Sequence, residues 1–385
     1  ARLAWDDLGL NRATDKFEPI WVAGFMSGTS LDAVDAALLL TDGEQVLEFG
    51  PVVERKYTPS ERTTLQQATD AARAWSWSGP EPELGFAEAR KVITQTHLDA
   101  FERLCEVFDR REISLAGVHG QTVLHRRPTP DRNGATRQLI DAPDLARALG
   151  VRIAYDFRTD DVLAGGEGAP LAPIYHSVLM AGLDEGPIAV LNLGGVANIT
   201  ARLSDGTLVA FDTGPANGPI DEWVERHGRA TFDLEGQLAA AGHVDETKLA
   251  ELLGHEWFSK RPPKSLDRYD FNASMVEHLS LEDGAATLTA FSARAVAAGI
   301  AQLPERPTRV VACGGGRHNP TLIRMLRDAL PCQVMLAEEA GWRGDSIEAE
   351  AFAVLAARTL RGLPISFPLT TGVAEPMTGG KLQDP

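Results

Sequence analysis

Along the chain, apolar runs alternate with short clusters of small polar residues. "WVAGF", "DAVDAALLL" and "VLEFGPVVERKY" have the apolar and β-branched content of three successive strands. The turns between them are short, which predicts an antiparallel start. Residues 59–75 and 84–108 change to helical spacing, with Phe86, Val92, Ile93, Leu98, Phe101, Leu104 and Val107 as the repeating apolar positions of the second. "LAGVHG", "QLID" and "VRIAYD" then read as buried strands, and "APDLARALG" as a helix ending at Gly150.

Near residue 160 the texture shifts to "TDDVLAGGEGAPLAP", rich in Gly, Ala and Pro, which predicts a crossing into a second domain. That domain opens with "IAVLNLGGVANITARL" and continues with "LVAFDTGPANGPIDEW". Both halves therefore begin as strand, small-residue turn, strand, with no helix between. The simplest account is an internally duplicated α/β architecture in which each copy offers a tight turn toward a shared cleft. "RVVACGGGRHNPTLIRMLRDAL" adds a strand, a triple-glycine turn and an amphipathic helix. "SIEAEAFAVLAARTL" is the last helix before a Pro/Gly-rich tail.

Composition narrows the function classes. The 385 residues suffice for two ordinary domains, and 44% hydrophobic with 24% charged residues fits a globular chain. No apolar run approaches the roughly 20 residues needed to span a bilayer, and the N-terminus lacks a basic-then-apolar signal pattern, so the expected location is the cytoplasm. Cys105, Cys313 and Cys332 are too scattered for a disulfide framework or a zinc site. A net charge of −17 without a basic stripe argues against nucleic acid as a partner. An anionic ligand must then be held locally, by backbone N–H groups, a few Lys or Arg, or a metal ion.

The turns supply such places. Ser27, Gly28, Thr29 and Ser30 can aim backbone N–H groups and hydroxyls at one point, an array suited to phosphate. Asp32 or Asp35 beside a triphosphate would hold Mg²⁺, usually through water; the plain alternative is a tight hairpin with a solvated aspartate. The lysine of a Walker loop is missing. Gly194, Gly195 and Asn198 repeat the offer in "LNLGGVAN". Gly314, Gly315 and Gly316 repeat it again at a strand end, before a helix that Asn319 can cap. Asp212, in "FDTGPAN", reads as a metal ligand, a general base for an attacking oxygen, or the cap of the helix around "GPIDEWV". His119 follows a strand and can bond a ligand, though a histidine there is commonly structural. Lys264, Arg268 and Arg158 either reach an anion or pair with carboxylates.

Taken in order, "GFMSGTSLDAVDAAL", "HGQTVLH", "DFRTDDVLAGGEGAPLAP", "LNLGGVANIT", "FDTGPAN", "PPKSLDR" and "CGGGRHNPTLI" resemble the motifs of the anhydro-N-acetylmuramic acid kinases, from about residue 20 to about residue 360. The resemblance implies the sugar kinase/Hsp70/actin superfamily. Its fold is α/β, with two duplicated ribonuclease-H-like (actin-like ATPase) domains around a central cleft, here 18–160 plus 355–385 and 161–354. It also implies a phosphotransferase that uses ATP, Mg²⁺ and water to turn 1,6-anhydro-N-acetylmuramic acid into N-acetylmuramic acid 6-phosphate and ADP, in recycling of cell-wall sugar.

Motif by motif, Ser27, Gly28, Thr29, Ser30, Leu31 and Asp32 look like the ATP phosphate loop, with Asp32 the metal residue. Gly194, Gly195 and Asn198 look like the second phosphate turn, and Gly314 to Gly316 with Asn319 like the nucleotide side. Asp212 corresponds to the catalytic aspartate. Glu348, Arg158, Glu167 and His119 are the expected sugar contacts. Ala33 and Ala216 stand where glycine is commoner, and Glu167 where many relatives carry Gln. A levoglucosan kinase is the alternative enzyme. An actin-like ATP-binding module is the non-enzymatic one, and homodimeric assembly is left open.

Overall fold

β1 (Ile20–Ser27), β2 (Ala33–Thr41) and β3 (Val46–Lys56) form the antiparallel start, with Ile20 opposite Thr41 and Ser27 opposite Val34. The computed structural model describes residues 17–183, 186–266 and 270–385, which divide into two compact units. The first ends at Val178 and resumes over Ser346–Pro385; the second is Leu179–Asp345.

In the first unit, β1 continues in parallel to β4 (Ile113–Val118), which pairs in parallel with β7 (Arg152–Tyr155). Between them, β5 (Gln121–Arg126) and β6 (Ala135–Leu139) form a separate two-stranded ribbon. Only the second of those two strands was expected. The Pro/Gly-rich tail returns as a strand, Lys381–Gln383, antiparallel to β7.

Alternation decides which helix covers which face. Ala23 and Phe25 of β1, with Ala116 and Val118 of β4, pack into one core with Ala100, Phe101 and Leu104 of the Glu83–Cys105 helix. Gly24 and Gly117 face the other way. A Cβ there would lie 2.0 Å from the carbonyl oxygens of Ala349 and Phe352, so the Ile347–Arg361 helix rides directly on strand backbone.

Local chemistry starts and stops the helices as the sequence suggests. Thr58 and Glu61 close a capping box at Pro59–Trp75, and Gly150 takes a left-handed conformation after Ala142–Leu149. Residues 161–178, including the glycine-rich stretch, bond within this unit: Glu167 N–H donates to the Thr371 carbonyl, and Tyr175 donates to Glu350.

The second unit repeats the plan with β8 (Ile188–Leu193), β9 (Val196–Arg202) and β10 (Leu208–Pro215) antiparallel, followed by β11 (Arg309–Cys313) and β12 (Gln333–Leu336) parallel to β8. Counted along each sheet, five strands run third, second, first, fourth, fifth in both units, and the first sheet adds Lys381–Gln383 beyond β7 as a sixth. The chain is thus an α/β protein of two duplicated ribonuclease-H-like domains.

The second core sets Leu191, Ile199, Phe211 and Val310 against Val296 and Ile300 of the Leu281–Ala301 helix. That helix corrects one expectation, because by length and composition it is apolar enough to cross a membrane. It is mostly buried here as a core helix, and its continuous apolar character comes from that all-round burial.

Candidate active site

In the first unit the β1–β2 turn is built around a buried anchor. Leu31 takes a left-handed φ of 57°, its side chain packing with Leu65, Ala68 and Val123 while its N–H donates to the Gly28 carbonyl. Ser27 is buried, and its hydroxyl donates to the Gly120 carbonyl at 3.0 Å. The Gln121 amide bonds the Gly28 carbonyl at 3.2 Å. Thr29, Ser30 and Asp32 remain exposed on the rim.

A Cβ on Gly28 would meet nothing closer than Ser30 Oγ at 3.5 Å, so protein packing alone does not demand glycine there. Open space over a small-residue turn is what phosphate approach requires. Asp32 is held by Arg62, whose guanidinium bonds Asp32 Oδ1 at 2.9 Å and the Ser30 carbonyl at 3.1 Å. The sequence reading missed Arg62, which stands thirty residues away in the first turn of another element. Asp35 lies in β2, between Met26 and Glu54.

A second group gathers around Arg158. Its Nε donates to His119 Nε2 at 2.9 Å, and its Nη1 donates to the Gly168 carbonyl at 2.7 Å. His119 is therefore the Nδ1–H tautomer, and burial, reinforced by the Arg158 charge, holds its pKa well below the usual histidine value. Its buried Nδ1 has no hydrogen-bond partner, a condition shared by Tyr57 Oη, His97 Nε2 and Gln121 Oε1. Burial brings Arg158 down to about 10 against the pull of Glu348 and Asp161. Glu348 reaches solvent, yet surrounding protein raises its carboxyl above the ordinary value, with Arg158 opposing. Glu167 is half-buried, 3.6 Å from Arg127.

The second unit sets a polar row across its sheet. Asn198 is not in the glycine turn but within β9, opposite Asn192 on β8 and Asp212 on β10. Asp212 sits at a register break before Gly214, and a backbone clip fixes it: its N–H donates to the Lys264 carbonyl at 2.9 Å, and its Oδ2 accepts from Leu266 N–H at 2.7 Å. It does not cap the Asn217–Arg226 helix, whose cap position is Ala216. Lys264 itself is buried, its ammonium 4.3 Å from the Trp257 ring centre and bonded to the Phe258 carbonyl. Arg268 lies outside the described residues.

The glycine turns divide by what a side chain would meet. At Gly314, φ is +76° and a Cβ would fall 2.3 Å from Asn192 Oδ1; at Gly316 it would fall 2.7 Å from Leu193 Cβ. Packing requires both. Gly194, Gly195 and Gly315 have no such neighbour, with nearest atoms at 3.4, 4.0 and 3.9 Å. Arg317, also missed, secures the triple-glycine turn by bonding the Gly314 carbonyl, Glu338 and both oxygens of Asp345. Asn319 caps the Pro320–Ala329 helix through Leu322 N–H.

The cradles over Gly28, Gly194, Gly195 and Gly315 suit phosphate. The described residues contain no group of three or more His, Cys, Asp or Glu able to hold a metal. A single exposed carboxylate at a phosphate turn is nonetheless the donor set Mg²⁺ uses, because it keeps water and takes its remaining ligands from phosphate.

The family model for anhydro-N-acetylmuramic acid kinase matches residues 20–384. The chain belongs to this family. It is 54% identical over 365 residues to the anhydro-N-acetylmuramic acid kinase of Caulobacter vibrioides, covering 94% of this chain and 98% of that one. It is 51% identical over 371 residues to the Rhizobium rhizogenes enzyme of the same name, covering 95% and 100%. A Phenylobacterium zucineum relative, also so named, is 52% identical over 368 residues, covering 94% and 99%. As a member of a kinase family, the chain is a kinase.

Proposed function

We propose that the chain opens 1,6-anhydro-N-acetylmuramic acid with water and transfers the γ-phosphoryl group of ATP to O6, giving N-acetylmuramic acid 6-phosphate and ADP. The observation that carries this is Asp212, a half-buried carboxylate locked by two backbone bonds at a strand irregularity. A 1,6-anhydro sugar has no free 6-hydroxyl, so phosphoryl transfer must await cleavage of the bridge. Asp212 accepts a proton from water attacking the anomeric carbon, as the base of an inverting glycosidase does. The bridge C–O bond breaks, and O6 takes the phosphoryl group.

Arg158, His119, Glu167 and Glu348 bind and orient the sugar, with the His119 Nδ1–H as an unpartnered donor. The N–H groups at the Gly28 and Gly194–Gly195 turns receive phosphate oxygens. Asp32 would be the protein ligand to Mg²⁺, and the ion when bound would offset the negative charge on the transferring phosphoryl. The product is a phosphorylated cell-wall sugar, which assigns the step to peptidoglycan recycling in the ATP-containing cytoplasm.

The test offers anhydro-N-acetylmuramic acid and levoglucosan separately at equal concentration. The muramic sugar should give the higher kcat/KM, because a site built for its lactyl and N-acetyl groups leaves polar partners unpaired around a sugar lacking them. A higher value for levoglucosan would overturn the named substrate while leaving the family intact.

The sorting of glycines gives a further expectation. Gly195→Ala should leave the melting temperature unchanged and raise the KM for ATP about tenfold, as an added methyl narrows the phosphate turn. Gly316→Ala should instead lose about 1–3 kcal/mol of stability. Thermal melts and ATP titrations of the two variants check this; equal behaviour would refute the division.

A further inference from the structure

Asp161 is buried beneath the glycine-rich loop that follows it, with 1% of its surface exposed. Its Oδ1 accepts the Gly168 N–H at 2.6 Å, and its Oδ2 accepts the Thr371 hydroxyl at 2.5 Å. Thr371 is equally buried, and its carbonyl receives the Glu167 N–H at 2.7 Å. The loop fits against this carboxylate with no room to spare: a Cβ on Gly166 would lie 2.2 Å from Asp161 Oδ1. Gly168, at φ +73°, would set one 2.6 Å from Val162 Cγ2. On its far side the Gly168 carbonyl holds the Arg158 guanidinium, which holds His119.

We infer that Asp161 and Thr371 are positioning residues, a latch through which the C-terminal segment sets the sugar-binding loop. Asp161 grips both sides of Glu167: Gly168 through its own carboxylate, and the Glu167 N–H through Thr371. The peptide that carries Gly168 N–H also neighbours the carbonyl that orients Arg158, so the carboxylate controls where that guanidinium points. Neither latch residue touches substrate. Their effect on the reaction runs through Arg158 and Glu167, and the inference rests on the assignment of those two to the sugar.

The pair Thr371→Val and Thr371→Ser tests it, since valine keeps the shape and loses the donor while serine keeps the donor. Thr371→Val should raise the KM for anhydro-N-acetylmuramic acid about tenfold, because a binding group displaced by a fraction of an ångström loses much of its contribution. The KM for ATP and kcat should stay within about twofold of wild type, as the hydrogen bond removed serves only the sugar loop. Thr371→Ser should restore the sugar KM.

Hydrogen exchange on ligand-free protein should show faster exchange confined to the amides of 166–168 in the valine variant. A sugar KM unchanged by valine, or sugar and ATP constants worsening together with a fall in melting temperature, would overturn the latch. So would a valine variant that fails to fold, since that makes the pair a stability element only. Wild-type protein that does not phosphorylate the sugar overturns the proposed function instead, and the exchange measurement still decides the latch.

Discussion

Asp212→Asn should lose about 10²–10⁴-fold in turnover, the typical cost of removing a positioned general base. The substitution isolates basicity because the clip survives it. Asparagine presents a side-chain oxygen that can still accept from Leu266 N–H, and the bond from its own N–H to Lys264 is unchanged. Affinity for ATP and sugar should therefore persist, and the melting temperature should hold. Water labelled with ¹⁸O supplies an independent readout. Wild type should place the label on the anomeric carbon and none in phosphate, and attack opposite the bridge should give the α-anomer first. An ordinary ATPase would label phosphate. Label in phosphate, or a fully active asparagine variant, would remove Asp212 as the base.

The duplicated sheet was legible because its signal is local. In each half an apolar run, a turn of small residues and a second apolar run announce an antiparallel pair, and the two copies can be compared directly. β5 was missed because "QTVLHR" sets two apolar residues between two polar pairs, with none of the period-two alternation that separates a half-buried strand from a loop. The strand Lys381–Gln383 has three residues, two of them polar, and exists only because β7 offers an edge. The Leu281–Ala301 helix lacks a polar face, so a search for amphipathic spacing passes over it.

The site was half legible for a related reason. A glycine in the sequence announces room but not whose room it is. Gly28, Gly195 and Gly316 look alike in the chain, and only the neighbours a Cβ would meet separate a turn open to ligand from one filled by Leu193. The anchors were invisible because they are long-range. Arg62 finds Asp32, Thr371 finds Asp161, and Leu266 finds Asp212 across 30, 210 and 54 residues. Asn198 was read as part of the turn, but the strand resumes immediately after Gly195 and Asn198 is its third residue.

Gly117→Val should destabilise the chain by about 3 kcal/mol or more, at the upper end of what overpacking costs. Small-to-large changes are usually softened by rotation of neighbouring side chains, but here the first obstacle is backbone. A Cβ at Gly117 lies 2.0 Å from the Phe352 carbonyl oxygen, 2.8 Å from its carbon and 2.9 Å from Ala356 Cβ. At Gly24, on the neighbouring strand, it lies 2.0 Å from the Ala349 carbonyl oxygen and 2.5 Å from the Ala353 nitrogen. The helix cannot slide along the sheet to escape one contact without meeting the other, so it must lift. Lifting opens a gap along Ala349, Phe352, Ala353 and Ala356, all buried or nearly so. Gly28→Ala is the control, since its Cβ meets nothing closer than Ser30 Oγ at 3.5 Å, and its melting temperature should match wild type. Because Glu348 stands in the first turn of the lifted helix, Gly117→Ala, the milder change, should also weaken sugar binding more than ATP binding. Chemical denaturation of the three variants decides the matter. A valine variant as stable as wild type would mean that the helix does not lie on the strands as described.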